Sequence, residues 1–294
     1  MTAGVAWALV AALGFGFVQA FNRKTNQIVD AFRTVFGLLL CVEILLVVRA
    51  VATGEVGLLL EAPPAAIAFF GTATFFHFVG GWTLLALSQQ RIGVARTGAL
   101  VSASPLVGTL LAAPVLAEPL TVPILAGVLL AAAGVALISL SGGIRSGRSV
   151  WVQPWLALTV ALIWGASPML IRLGLEHFDY PVLGLTIGLG MSVPVYGILL
   201  MATGVARRSP VPGLAKRWMM AGGVAGAIGV SGQWLSFGLT TVAIAITVHQ
   251  LATLVVVALV PLMFKEPFER MNLLFAVGAA AMLAGSITVV LVGR

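Results

Sequence analysis

The chain has 294 residues, of which 60% are hydrophobic and only 9% are charged, and its mean hydropathy is +1.12. In soluble globular domains about a quarter of all residues are charged, so this composition excludes that class and indicates an integral membrane protein. The net charge of +7 does not indicate nucleic-acid binding, because the 16 Lys and Arg residues cluster in short loops, as membrane topology signals do. The single cysteine, Cys41, excludes an internal disulfide and a cysteine metal cluster. We expect no bound metal and no cofactor.

Uncharged stretches divide the chain into ten predicted membrane spans. A helix of about 20 apolar residues crosses the roughly 30 Å hydrocarbon core of a bilayer. Charges, prolines and glycines set the boundaries: Arg23-Lys24 ends the first span, Pro63-Pro64 begins the third, and residues 142–148 separate the fifth from the sixth. The predicted spans cover approximately residues 4–22, 28–50, 64–88, 92–113, 121–141, 152–174, 181–203, 216–238, 242–264 and 272–292.

A repeated Glu-Pro turn indicates that the chain consists of two related halves. Glu118-Pro119 joins spans 4 and 5, and Glu266-Pro267, 148 residues later, joins spans 9 and 10. Further matches lie at offsets of 148 or 149: Val94-Ala95 with Val242-Ala243, Gly16 with Gly165, and Arg23 with Arg172. We therefore predict two repeats, residues 1–147 and 148–294, with five spans each.

The odd number of spans in each half determines how the two repeats are related. After five spans the chain is on the opposite side of the membrane, so the second half must be inverted relative to the first. The predicted fold class is thus an all-α membrane protein whose ten transmembrane helices form two inverted five-helix repeats around a central cavity. Secondary transporters with this arrangement hold their substrate near the bilayer midplane, between the repeats.

The loop charges predict the orientation in the membrane. Thirteen Lys and Arg residues lie in loops on the side opposite the termini, including Arg145 and Arg148, and three lie on the terminal side. The positive-inside rule then puts both termini outside.

Polar residues in the middle of apolar spans are the candidate binding residues, because such groups are costly in lipid and usually line a cavity. His77 lies near the middle of span 3, although a histidine there can also serve helix packing alone. In span 4, Ser102 and Pro105 lie on a small, polar face, and Pro105 removes a backbone hydrogen bond. A close-packing helix face is the alternative explanation for this pattern.

The second half offers three more candidates. His249 and Gln250 are adjacent in span 9, and Gln250 is the repeat equivalent of Ser102 at offset 148. The amide of Gln250 can both donate to a carboxylate and accept from an ammonium group. Trp164 lies in the middle of span 6, where tryptophan is unusual because it prefers the membrane interface.

Glu43, in span 2 of the first half, is the only acid well inside a span. It is a possible proton site, but we predict that it is not the coupling site.

Ten spans in two halves, each with a Glu-Pro turn between its fourth and fifth spans, resemble the drug/metabolite transporter superfamily, EamA type. The positions of His77, Trp164, Trp234 and the Ser-Ala-Ser-Pro run 102–105 further resemble the YddG-type amino-acid exporters. The resemblance implies export of small metabolites, foremost amino acids, across the bacterial inner (plasma) membrane. It also implies cytoplasmic termini, opposite to the charge count. We expect a monomer whose partners are a small-molecule substrate and the lipid bilayer.

Two alternatives remain at this stage. Within transport, the substrate could be a drug-like compound or another metabolite. From a different class, residues 229–232 read Gly-Val-Ser-Gly, which matches the GxSG string of rhomboid intramembrane proteases, and His249 follows on the next helix. That dyad would require Ser231 within hydrogen-bond reach of His249. The sequence has no HExxH motif, P-loop or paired carboxylates, so we predict no catalytic residues.

Overall fold

The computed structural model describes residues 2–92, 94–141, 154–205, 210–264 and 272–293, and these ranges contain helices and turns but no strand. The turn Glu266-Pro267 and the loop residues Arg145 and Arg148 lie outside the described residues. A π-helical segment, Phe75–Trp82, connects α4 to α5. The α-helices are α1 Thr2–Asn26, α2 Ala31–Ala52, α3 Val56–Glu61, α4 Pro64–Thr74, α5 Thr83–Ile92, α6 Val94–Val101, α7 Ser104–Leu116, α8 Val122–Ser141, α9 Trp155–His177, α10 Pro181–Ala202, α11 Gly213–Leu239, α12 Val242–His249, α13 Ala252–Phe264 and α14 Leu273–Val292.

Nine helices within the described ranges are long and apolar enough to cross a membrane, which confirms the all-α membrane class. The predicted count of ten is close to this number. The remaining long helix, α11, has 27 residues but is rich in glycine. It runs antiparallel to α1, because Phe21 stacks on Trp218 at one end and Gly4 approaches Thr240 at the other.

Some helix ends differ by a few residues from the approximate ends predicted for the spans. The helix that corresponds to the third predicted span continues without interruption from Pro64 to Ile92, four residues beyond the predicted end. The helix of the eighth predicted span, α11, begins at Gly213, three residues before the predicted start. The short helix Val56–Glu61, in the loop before Pro64, was not predicted. Helix ends depend on capping and on tertiary contacts, and the hydropathy of the sequence reports neither of them.

Glycines allow the helices to approach each other closely. A Cβ added at Gly14 would lie 2.7 Å from the backbone nitrogen of Gly229, where α1 meets α11. Helices α8 and α14 pack in the same way, with Gly127 against Gly285 and Gly134 against Gly278. Small residues at such contacts bring backbones together and increase van der Waals contact, which drives helix association in lipid. The order of the pairs along each helix shows that α8 and α14 are antiparallel.

Candidate functional site

Two of the long helices are interrupted in their middle. The first break, at Ser102-Ala103, separates α6 from α7, and the second, at Gln250-Leu251, separates α12 from α13. The breaks are 148 residues apart, the offset of the Glu-Pro turns. Pro105 explains the first break, because it lies in the first turn of α7 and has no N–H to donate. The nearest proline to the second break is Pro261, ten residues after Leu251. At the break itself, i→i+3 bonds such as Gln250 N to Thr247 O replace the regular pattern.

His77 lies in the π-helical segment and is buried against α9. Its Nδ1 is 2.6 Å from Oγ of Ser167. The Trp164 indole stacks on the His77 ring with centroids 5.7 Å apart, and its Nε1 donates to the His77 carbonyl at 3.1 Å. π-Helical turns occur frequently at functional sites. Of the predicted site residues, His77 and Trp164 are thus in direct contact.

Gly81 makes the contact between the π-helical segment and Trp164 possible. A Cβ added at this glycine would overlap Nε1 of Trp164 and lie 3.0 Å from its Cδ1. Any larger residue would therefore displace the indole from the His77 carbonyl.

His249, at the end of α12, is held in a similar environment from the other half of the chain. Its Nε2 is 3.1 Å from Oγ of Ser236 on α11, and the rings of Phe15 and Phe237 contact it edge-on. Within the described ranges, His77 Nε2 and His249 Nδ1 make no hydrogen bond, and each imidazole is held through its other nitrogen.

The hydrogen-bond directions at Ser236 determine the tautomer of His249. Ser236 donates its hydroxyl proton to the carbonyl of Gln233 at 2.7 Å, so His249 Nε2 must donate to Ser236. The neutral imidazole then has an acceptor at Nδ1. A nucleophilic serine would need the opposite direction, with its proton given to histidine. The serine bonded to His249 is also Ser236 and not Ser231 of the Gly-Val-Ser-Gly string.

Two glutamines leave polar atoms without a partner in the described structure. Nε2 of Gln250, at the break after α12, and Oε1 of Gln233, on α11, are both shielded from solvent and make no hydrogen bond. A polar group in this condition costs free energy unless a ligand or water meets it. Of the two, Gln250 is a binding residue predicted from the sequence.

Ser102 and Pro105 lie at the first helix break. Ser102 is buried and donates to the carbonyl of Ala99 at 2.7 Å, which stabilises the end of α6. Pro105 is buried in α7. No hydrogen bond in the described ranges joins Ser102 to Gln250. Sequence reasoning did not find Ser167 and Ser236, the anchors of the two histidines, although both are polar residues within apolar spans.

One end of the helix assembly is held together by Glu118, in the first Glu-Pro turn. Both carboxylate oxygens accept from the backbone N–H of Val242, each at 2.9 Å, at the first residue of α12. Arg172 on α9 donates to the carbonyl of Phe237 at 2.6 Å, near the end of α11. Burial raises the pKa of the Glu118 carboxyl, whereas the N–H groups of Val242 and Ala243 and the charge of Arg172 act in the opposite direction. We call Glu118, Arg172, Phe237 and Val242 the terminal-side cluster.

Comparisons with known proteins agree with this architecture. No curated protein sequence matches the chain. The crystal structure of another protein superimposes on this chain with a TM-score of 0.77 and 16% sequence identity. The superposition covers 100% of this chain and 98% of the other chain, which shows a shared fold. Residues 2–140 match the EamA-like transporter family. This match supports the drug/metabolite transporter superfamily and indicates a membrane transporter of small molecules.

Proposed function

We propose that this protein is a secondary transporter of the EamA type that exports small metabolites, foremost amino acids, by alternating access. The observation that carries the proposal is the pair of helix breaks at Ser102-Ala103 and Gln250-Leu251, at equivalent positions of the two halves. Interrupted helices at membrane depth are tolerated where they are buried in protein or line a cavity. In secondary transporters, such breaks form the substrate site between inverted repeats.

Contacts between equivalent helices support the division into repeats 1–147 and 148–294. Helix α2 runs antiparallel to α10, its counterpart, because Phe36 contacts Tyr196 while Glu43, further along α2, approaches Gly190. Helices α8 and α14, also counterparts, are antiparallel too. Antiparallel counterparts are what an inverted repeat requires.

Close contacts of the first helix of each half support the same division. Gly16 of α1 packs against Val255, and Gly165 of α9 packs against Val107. The two glycines are 149 residues apart and the two valines 148, so equivalent residues make equivalent contacts.

The polar groups around the second break suit an amino acid. We assign the acceptor Nδ1 of His249 to the ammonium group and the unpaired Nε2 of Gln250 to the carboxylate. Trp164, Phe15 and Phe237 provide apolar and aromatic surface beside the two imidazoles. Ser102 and Pro105 form the corresponding break in the first half, and His77 contributes its Nε2.

Counterflow into proteoliposomes tests this function. Vesicles are loaded with one unlabelled amino acid at a time, and the uptake of the same radiolabelled amino acid is followed with and without a proton gradient. We expect saturable uptake of at least one amino acid. It should fall in His249→Ala and Gln250→Ala and persist in Gln27→Ala, which alters an exposed loop glutamine.

The same vesicles distinguish the alternatives. If monodisperse protein gives no counterflow with any amino acid, the amino-acid assignment is wrong. Counterflow of drug-like compounds under those conditions would favour the other branch of the superfamily. Cleavage of a single-span substrate that is lost in Ser231→Ala would favour an intramembrane protease.

A further inference from the structure

A groove on the outer surface of the helix assembly, between α1 and α11, has no role in the proposed transport site. Apolar residues of both helices line it: Val10, Leu13, Gly14, Phe17, Phe21, Ala221, Val224, Ala225 and Ile228. Leu13, Val224 and Ile228 are about half exposed, whereas Gly14 is buried. The groove has a volume of about 520 Å³, within the range of roughly 300–1,000 Å³ found for ligand pockets. It opens towards the lipid.

The groove has the length of one lipid leaflet. It extends along α1 from Val10 to Phe21, near the end of the helix. At a rise of 1.5 Å per residue this distance is about 17 Å, slightly more than half of the roughly 30 Å hydrocarbon core. Towards this end Phe17 stacks on Phe21, and Phe21 stacks on Trp218. Because tryptophan prefers the membrane interface, the groove extends from near the bilayer midplane to the level of the lipid headgroups.

Two basic residues meet at the interfacial end of the groove. The lining positions recur every three or four residues along each helix, as positions on one helical face do. The next position on this face after Phe21 is Lys24, and the position one turn before Ala221 is Arg217. The two helices are antiparallel, and Phe21 stacks on Trp218. Lys24 and Arg217 therefore lie at the same end of the groove.

The segments around this end carry an excess of positive charge. Residues 23–33 and 210–217 contain five basic residues and one acid, Asp30, which is paired with Arg33. This end lies on the side that holds 13 of the Lys and Arg residues against 3, which the positive-inside rule predicts to be cytoplasmic. Anionic lipids give the cytoplasmic leaflet its negative surface potential and attract such basic segments.

We propose that the groove binds one anionic glycerophospholipid of that leaflet, with an acyl chain between α1 and α11 and the phosphate between Lys24 and Arg217. An arginine can hold phosphate oxygens through two parallel N–H bonds. A second copy of the chain fits the groove less well. Two copies in the same membrane orientation would bring their Lys24 and Arg217 side chains to the same depth, where like charges repel.

Stabilisation by added lipid tests the site. The purified protein in detergent is titrated with phosphatidylglycerol, or with phosphatidylcholine of the same acyl chains, and its unfolding temperature is measured. A ligand that binds only the folded state raises this temperature. Native mass spectrometry counts the bound lipids and gives the apparent affinity. We expect one phosphatidylglycerol to bind and to stabilise the protein, whereas phosphatidylcholine, inorganic phosphate and glycerol phosphate should not.

Charge variants at neighbouring positions provide a matched comparison. Lys24→Gln with Arg217→Gln removes the two charges on the groove face. Arg23→Gln with Lys216→Gln removes two charges from the same helix turns but not from that face, because neighbouring residues lie about 100° apart around a helix. The first pair should weaken phosphatidylglycerol binding about twenty-fold, since each basic residue near an anionic lipid surface contributes about a factor of five. The second pair should keep most of the affinity.

A variant that fills the groove tests the acyl-chain part of the site without a change in charge. Ala221→Phe places a ring in the groove, one turn from Arg217, and should abolish the stabilisation by phosphatidylglycerol. Met220→Phe is the control, because Met220 is exposed and lies outside the groove. If Ala221→Phe is not monodisperse, the two charge pairs still decide the proposal.

Three outcomes would overturn the proposal. Equal loss of binding in the two charge pairs would show that the lipid responds only to the general charge of this face. Equal stabilisation by phosphatidylcholine would show that the groove does not select anionic lipids. A dimer that Ala221→Phe converts to a monomer would identify a second copy as the occupant. Counterflow is measured separately, so the lipid site and the transport function can fail independently.

Discussion

The indole N–H of Trp164 donates to the backbone carbonyl of His77 at 3.1 Å, while the indole ring stacks on the imidazole of the same residue. The tryptophan thus fixes both the backbone and the side chain of one residue. The π-helical geometry of residues 75–82 and the absence of a side chain at Gly81 bring the two helices close enough for this contact. A histidine held in this way can present its Nε2 in a fixed direction.

Gly81→Ala should destabilise the protein. The added methyl group would overlap the Trp164 indole, and such overpacking costs about 1–3 kcal/mol of unfolding free energy. Thermal unfolding in detergent measures the effect, with Gly57→Ala as the matched control because a Cβ there meets no atom within 4 Å. Equal unfolding temperatures for the two variants would show that the indole is free to move.

Gln250→Ala should weaken substrate binding by about 1–3 kcal/mol, or about ten- to a hundred-fold in apparent affinity, because a polar group of the substrate loses its partner. Ser102→Ala should cost less, since its hydroxyl is already bonded to Ala99. Concentration dependence of counterflow gives both values. Cysteines at these two positions that never react with a water-soluble thiol reagent, with or without substrate, would place the site elsewhere.

Glu43→Gln should leave transport and its pH dependence unchanged. Glu43 lies on α2 beside Gly190 of α10, and none of the hydrogen bonds around His77 and His249 includes it. The measurement is counterflow across a series of pH values, with monodispersity confirmed for the variant. Loss of transport at every pH in folded protein would identify Glu43 as part of the mechanism.

The termini should lie outside the cytoplasm, because Lys and Arg residues favour the opposite side by 13 to 3. A C-terminal fusion to a reporter that is active only in the cytoplasm should therefore be silent. A strong signal would show that the termini are cytoplasmic, as in the family that the chain resembles, despite the distribution of Lys and Arg. A silent reporter, with the fusion protein present in the membrane, would place Glu118 and Val242 at the outer face.

The sequence alone predicted the membrane class, the approximate positions of the long helices and the repeated Glu-Pro turn. Each of these is encoded in neighbouring residues, because burial in lipid demands an uninterrupted apolar stretch of fixed length. The break in the first half was also signalled locally, by Pro105. The histidines and Gln250 were conspicuous as polar residues in apolar spans, although their role in binding stays a prediction.

Only the tertiary structure decided which groups these residues meet. Ser167 lies 90 residues from His77 along the chain, and Val242 lies 124 residues from Glu118. No proline beside Gln250 marks the second helix break in the sequence, and the hydropathy pattern does not reveal the π-helical segment. Such features arise where packed helices replace regular backbone hydrogen bonds with contacts to distant residues, so their energies depend on packing between helices and not on the local sequence.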